Sequence, residues 1–393
     1  MDRYSQSSLH IAAKYGQFET FALIMGLVTD KNPRNYYGIT PLHNAALNNH
    51  LRICSLIIDN VLDKNPKCNL GNTPLHIAAS NGYYHVCKLM IDQITDKNPK
   101  DNNGVTPLGN AALNGHLEIC ELIINQIFYE EEKNPSCNLG LTPLHNAAFK
   151  GHLDICKLFL EHLDSENPMD NNGITPLHSA AKNGWYEIVK LMLDNLAIGE
   201  NNPSSYNGTT PFHNAAYMGH YEICKLIINS VEEKNPTDLN GNTPLHEAVY
   251  NGHLNICKLI INTAVAHKNP ANYQGITPLH IASLNGHFEM CKLIIFNTTE
   301  KNPKDNMGAT PLHNAAWCGH IQICRLIISF IYDINPRSND GNTPLHAAAR
   351  NGHFEVCKFI MANVQNRYPM NNDGMTPQAY AHQYFNNLNQ MFL

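Results

Sequence analysis

"GNTPLHEAVYNGHLNICKLII", residues 241–261, places two histidines, a glutamate and a cysteine within a few helical turns. Such side chains bind metals and move protons, so the reading turns on whether the stretch occurs once. It does not. Thr-Pro recurs at Thr40, Thr73, Thr106, Thr142, Thr175, Thr210, Thr243, Thr277, Thr310, Thr343 and Thr376, and a degenerate copy stands at Ser7-Ser8-Leu9-His10. Most steps are 33 residues, with single steps of 36, 35 and 34.

Each copy reads as turn, helix, turn, helix, loop. In the third, Gly71 suits a tight turn, Thr73 an N-cap, and Pro74 the first helical position, where its missing N–H costs nothing. Leu75, Ala78 and Ala79 make a small-residue helix, which Gly82 closes. Asn49 takes the role of Gly82 in the second copy. Val86, Cys87, Leu89, Met90 and Ile91 then form the apolar face of a second helix, and Lys-Asn-Pro ends it. Such a unit cannot bury its own apolar face and must stack on its neighbours.

A period near 33 with T-P-L-H-x-A resembles the ankyrin-repeat family along almost the whole chain. The resemblance implies an all-α solenoid of helix-turn-helix units with protruding turn fingers, in a right-handed curved array. The twelve repeats are placed at about 1–34, 35–67, 68–100, 101–136, 137–169, 170–204, 205–237, 238–271, 272–304, 305–337, 338–370 and 371–393, as a single domain. Polar Asp2, Arg3, Ser5 and Gln6, and Gln378 with the Asn- and Gln-rich tail, read as caps of a complete array.

One feature departs from the family. Where ankyrin repeats have a helix-ending glycine, this chain has Val61, Ile94, Ile127, Leu163, Leu196, Val231 and Ile331. The expectation is a second helix longer by about half a turn, burying one more side chain. The insertions "FYEEEKNP", "AIGENNP" and "TAVAHKNP" all fall in the following loop.

Net charge of −6 provides no basic stripe for nucleic acid. No apolar run is long enough to span a bilayer. Nine of the twelve cysteines (Cys54, Cys87, Cys120, Cys156, Cys224, Cys257, Cys291, Cys324, Cys357) share one repeat position, which Val189 fills in repeat six. They read as buried hydrophobes, and a reducing compartment is expected, cytoplasm or nucleus. Cys318 lies off that ladder, on a face expected to see solvent.

His246-Glu247 begins the H-E-x-x-H of zinc proteases, but Tyr250 stands at its fifth position, and no C-x-x-C occurs. The histidines form two ladders instead. One runs through His10, His43, His76, His145, His178, His213, His246, His280, His313 and His346, with Gly109 as its gap. The other follows the helix-closing glycine: His50, His116, His152, His220, His253, His287, His320 and His353. The family resemblance implies that the first ladder ties threonine hydroxyl and backbone together. No catalytic, cofactor or metal residues are expected, and no cofactor. The chain is read as a non-enzymatic monomer.

The resemblance further implies that fingers and exposed first-helix side chains form a concave groove for a protein or peptide partner. Late in the first helix stand Tyr217, Tyr250, Leu284 and Trp317, with Met218 at the edge; the finger residues Tyr206, Leu239, Tyr273 and Met307 flank them. These nine are the candidate protein-binding residues, a strip roughly 30 Å long at helix spacings of ~8–10 Å. The alternative is a structural or mechanical spacer, or the cytosolic ankyrin region of a larger channel or cytoskeletal protein.

Overall fold

The structure, a computed structural model, describes residues 6–127, 133–162, 167–196, 201–263 and 268–384. Asp2, Arg3, Ser5, Leu163, the tail beyond 384, and residues 128–132, 197–200 and 264–267 of the three insertions lie outside them. The chain divides into two compact units, Met1–Ala197 and Ile198–Leu393. Both are entirely helical among the described residues.

In the first unit, Ser8–Lys14, Pro41–Leu47, Pro74–Ser80, Pro107–Asn114, Pro143–Lys150 and Pro176–Asn183 are the first helices of successive repeats. Phe18–Leu27, Leu51–Ile58, Tyr84–Gln93, Leu117–Ile124, Leu153–His162 and Tyr186–Asn195 are the second. In the second unit the first helices are Pro211–Met218, Pro244–Tyr250, Pro278–Asn285, Pro311–Trp317, Pro344–Arg350 and Pro377–Tyr384. Their partners are Tyr221–Ser230, Leu254–Thr263, Phe288–Asn297, Ile321–Ile328 and Phe354–Asn363. Within each unit, first helices pack on first helices and second on second.

The small residues explain the closeness of that packing. Leu245, Ala248, Ile256, Cys257, Ile260 and their counterparts are almost fully buried, so each repeat is a thin slice of the core of its own unit. The glycine after the first helix is left-handed, and Asn49 (φ 59°) is the one non-glycine with positive φ among the described residues. Gly219 (φ +84°) has a second constraint: a Cβ there would lie 2.5 Å from the ring of His253 in the next repeat. Any side chain at that position would push the stack apart.

Lys-Asn-Pro does more than stop a helix. The ammonium groups of Lys31, Lys97, Lys234 and Lys301 donate to helix-end carbonyls of Met25, Ile91, Ile228 and Ile295. The asparagine faces the other way: Asn65, Asn98, Asn269 and Asn302 accept the backbone N–H of Leu75, Leu108, Leu279 and Leu312 at 2.9–3.2 Å. One tripeptide therefore caps the C-terminus of one helix and the N-terminus of the next.

The expected lengthening of the second helix is not found. Helices end at Gln93, Asn195 and Ser230, and the next residues, Ile94, Leu196 and Val231, are extended, with ψ between 146° and 156°. In the repeats of Val61, Ile127 and Ile331 the helix ends earlier still, at Ile58, Ile124 and Ile328. Only Ile127 is buried; the others are half-buried. After Ile94 and Val231 the ammonium groups of Lys97 and Lys234 satisfy the last carbonyls, so a further half turn would gain no hydrogen bond there; Lys64 instead donates to Gln93 Oε1, and Ile334 takes the lysine position after Ile331.

Gly109, inside a helix and without the imidazole of its counterparts, leaves room at its Cβ, the nearest atom being 3.6 Å away. Gly109→His should stabilise the first unit by about 1–2 kcal/mol, from helix propensity and restored hydrogen bonds. Urea unfolding at pH 7.5 reads this as a higher midpoint at unchanged slope.

Candidate protein-binding face

The first histidine ladder is a set of clips. Nδ1 accepts the backbone N–H of the threonine three residues earlier, at distances from 3.0 Å (Thr343 to His346) to 3.3 Å (Thr210 to His213). The threonine hydroxyl lies 2.9–3.0 Å from the same nitrogen. A backbone N–H can only donate, so Nδ1 is unprotonated and the proton sits on Nε2. That proton is donated across the repeat boundary: His76 to Val105 O, His213 to Asn242 O and His280 to Ala309 O, at 3.0–3.2 Å. Ser7 replaces threonine for His10, and Gly109 keeps only the cap from its own N–H to Thr106 Oγ1.

The second ladder also crosses boundaries. His253, His320 and His353 donate Nε2 to the carbonyls of Tyr217, Leu284 and Trp317 at 2.8–3.1 Å. Trp185 fills this position in repeat six and makes the same bond, Nε1 to Phe149 O at 3.1 Å. The signal for it in the sequence was an N–H donor at the residue after glycine. No group of three metal-binding side chains exists among the described residues. The ladder cysteines are buried and unpaired, and burial raises the thiols of Cys54, Cys87 and Cys257 to about 12, far from reactivity. Cys318 is half-exposed, and what burial it has raises its thiol pKa.

The fingers are joined by a third ladder. Asn69, Asn102, Asn138, Asn171, Asn306, Asn339 and Asn372 donate Nδ2 to the carbonyl of the preceding finger at 2.9–3.1 Å. At Leu239 and Tyr273 that amide is replaced by an apolar or aromatic side chain. The backbone bonds from Leu239 to Asn207 O and from Tyr273 to Asn240 O remain.

All nine candidate residues are exposed, from 43 % for Trp317 to 70 % for Tyr273. Tyr206, Leu239, Tyr273 and Met307 sit on fingers of repeats seven to ten; Tyr217, Met218, Tyr250, Leu284 and Trp317 sit on the first helices beside them. Their backbone is held: the Tyr217, Leu284 and Trp317 carbonyls by imidazoles, and the Tyr250 carbonyl by Asn285 Nδ2 at 3.1 Å. Several neighbours were not singled out by sequence reasoning. Arg350 lies 5.6 Å from the Trp317 ring centre and 5.7 Å from that of Tyr380. Trp317, Met307, Arg350 and Tyr380 line a cavity of about 260 Å³, below the ~300 Å³ at which small-molecule pockets begin. Glu247 is half-buried on the same side, and burial, then Asp238, raises its carboxyl pKa.

A larger cavity, about 750 Å³, lies elsewhere, between successive loops around Lys268 and Glu300. Cavities of about 400 and 360 Å³ recur between the corresponding loops near Lys31 and Lys64. A space that repeats with the chain is a by-product of stacking and carries no specific chemistry.

A stack of two-helix slices, clipped by threonine-bound histidines and fronted by turn fingers, defines an ankyrin-type solenoid. Comparison with protein families gives the same answer: the ankyrin-repeat family, described as ankyrin repeats (3 copies), matches overlapping windows from 9–101 through 329–391. The chain belongs to that family. A search of curated proteins finds no match. Ankyrin repeats are generally protein-interaction modules, and the fold is typically non-catalytic. No described helix is long and apolar enough to cross a membrane.

The clip histidines generate a pH dependence. Burial lowers His43, His246 and His313 from 6.5 to about 4, and lowers His76, His145, His213, His280 and His346 as well. The unfolded chain then binds protons that the folded chain refuses. Stability is complete above pH 6.5 and falls as pH drops toward 4, by on the order of 2 kcal/mol at pH 5 for each of the three most shifted. Urea midpoints at pH 7.5 and 5.0 should differ sharply, and less so in a His246→Asn variant.

Proposed function

We propose that this protein is a non-enzymatic scaffold that holds a protein or peptide partner on the face formed by the fingers and first helices of repeats seven to ten. The observation that carries it is the conjunction of nine exposed apolar side chains with the replacement of finger asparagine at Leu239 and Tyr273. A contiguous exposed apolar surface is a mark of interaction sites, and Tyr and Trp are their usual anchors. Since the anchors rise from hydrogen-bonded backbone, little ordering is required of the scaffold on binding.

Charge supports the choice of a protein over nucleic acid, because a net charge of −6 opposes a phosphate backbone. Buried, unpaired ladder thiols fit a reducing compartment, cytoplasm or nucleus.

Alanine at Tyr217, Tyr250 and Trp317 together should abolish capture of the partner, each anchor being worth on the order of 2 kcal/mol. Circular dichroism should be unchanged, since the three rings are outside the core. Capture retained by the triple variant would remove this face from consideration.

A further inference from the structure

The charges on this face say what kind of partner it suits. Across the fingers and first helices of repeats seven, eight and nine (204–218, 237–251 and 271–285), with histidine neutral, the charged side chains are Asp238 and Glu247, both acidic; the corresponding segments of repeats ten and eleven are mixed, with Lys304, Arg337 and Arg350 beside Asp305 and Asp340. Asp238 is committed to its own turn, where its Oδ1 accepts the backbone N–H groups of Asn240 and Asn242 at 2.8 Å. Glu247 has no such role. Its half-buried carboxylate makes no hydrogen bond or ion pair with any described residue.

Comparison between repeats sharpens this. Asn44, Asn146 and Asn314 occupy the position of Glu247, and their Nδ2 groups donate to His10 O, Gly109 O and His280 O at 3.1–3.2 Å. A carboxylate has nothing to donate. Ile77, Ile281 and Ala347 at this position also lack the donor, but they are neutral; in repeat eight the position holds a half-desolvated anion instead, at a cost in stability. Tyr250 lies one turn along the same helix, and Tyr217 is its counterpart in the preceding repeat.

Resting on the protein-binding reading above, we propose that the face holds an extended peptide whose lysine or arginine seats against Glu247 beside the Tyr217 and Tyr250 rings, while a large apolar side chain of the same peptide fills the cavity between Trp317, Arg350 and Tyr380. The cation supplies the partner that the Glu247 carboxylate lacks among the described residues, and tyrosine faces add cation–π attraction. An acidic peptide would meet an uncompensated like charge, so selectivity comes from repulsion as well as attraction. The cavity has the volume for one side chain and no more. From Glu247 in repeat eight to the cavity between repeats ten and eleven is about two to two and a half helix spacings, roughly 16–25 Å. At about 3.3 Å per residue, the basic and apolar residues of the peptide stand some five to seven positions apart.

The test pans phage-displayed random 16-residue peptides on the full chain. Enriched peptides should carry Lys or Arg five to seven residues from a Phe, Trp, Tyr, Leu or Met. A synthetic peptide copied from them should bind Glu247→Gln about tenfold more weakly, and Glu247→Lys more weakly again. Exchanging its basic residue for Glu should reverse the preference between wild type and Glu247→Lys. Because the Glu247 carboxylate bonds to no described residue, Glu247→Gln should melt no lower than wild type, which separates lost binding from lost folding. Enriched peptides without a basic residue, or affinity indifferent to Glu247→Gln yet abolished by the Tyr217, Tyr250 and Trp317 triple alanine, would overturn the cation assignment and leave the binding face standing. Affinity indifferent to both variants, or no enrichment at all, would overturn the proposal, and indifference to both would remove the face with it.

Discussion

A neutral imidazole joined to two repeats at once is the interaction on which everything else depends. On one side it accepts the N–H and hydroxyl of its own threonine; on the other it donates to a carbonyl of the next repeat. Both bonds need the same tautomer, and burial enforces it by excluding the charged form. The clip therefore ties the start of each first helix to the turn of the following slice. Remove it, and Thr-Pro would still begin a helix, but the start of that helix would lose its tie to the turn of the next repeat, leaving the spacing to the other ladders.

Around that clip, inter-repeat polar bonds are made by a small set of positions used repeatedly: the finger asparagine, the residue after the helix-closing glycine, and the fifth residue of T-P-L-H-x. Each supplies an N–H donor to a carbonyl one repeat back. This regularity gives the exceptions their meaning. Trp185 is an exception in name only, because indole donates as imidazole does. Leu239, Tyr273 and Glu247 are exceptions in chemistry, since none can donate to that carbonyl, and they lie within two neighbouring repeats. Neutral residues break the pattern elsewhere, Tyr36 and Tyr206 on the fingers and Ile77, Ile281 and Ala347 at the fifth position; Glu247 is set apart because it is the one charged residue at that position. Local rules broken without structural compensation are what a site under another demand looks like.

The repeat architecture and its register were plain in the chain, because T-P-L-H recurs and each letter has a local cause: cap, first-turn proline, buried leucine, clip. The exposure of Tyr217, Tyr250 and Trp317 was legible through the family resemblance, which leaves that position of the first helix exposed, and all three are exposed in the structure. The end of the second helix was not. Ile94 and Val231 are apolar and read as buried helix, but Lys97 and Lys234 reach back to the last carbonyls, and the backbone turns extended instead. Nor were Glu247, Arg350 and Tyr380 legible as parts of the face, because their significance lies in what they do or do not touch.

Sequence by itself determined the repeat, its register and the pairing of threonine with histidine inside each copy, because a solenoid turns fixed offsets along the chain into contacts. The tertiary structure decided what depends on the third dimension: that the lysine of Lys-Asn-Pro faces backward while its asparagine faces forward, that Arg350 lies near both Trp317 and Tyr380, and that Glu247 has no partner among the described residues. These are properties of side-chain reach and solvent exclusion, and no linear spacing encodes them.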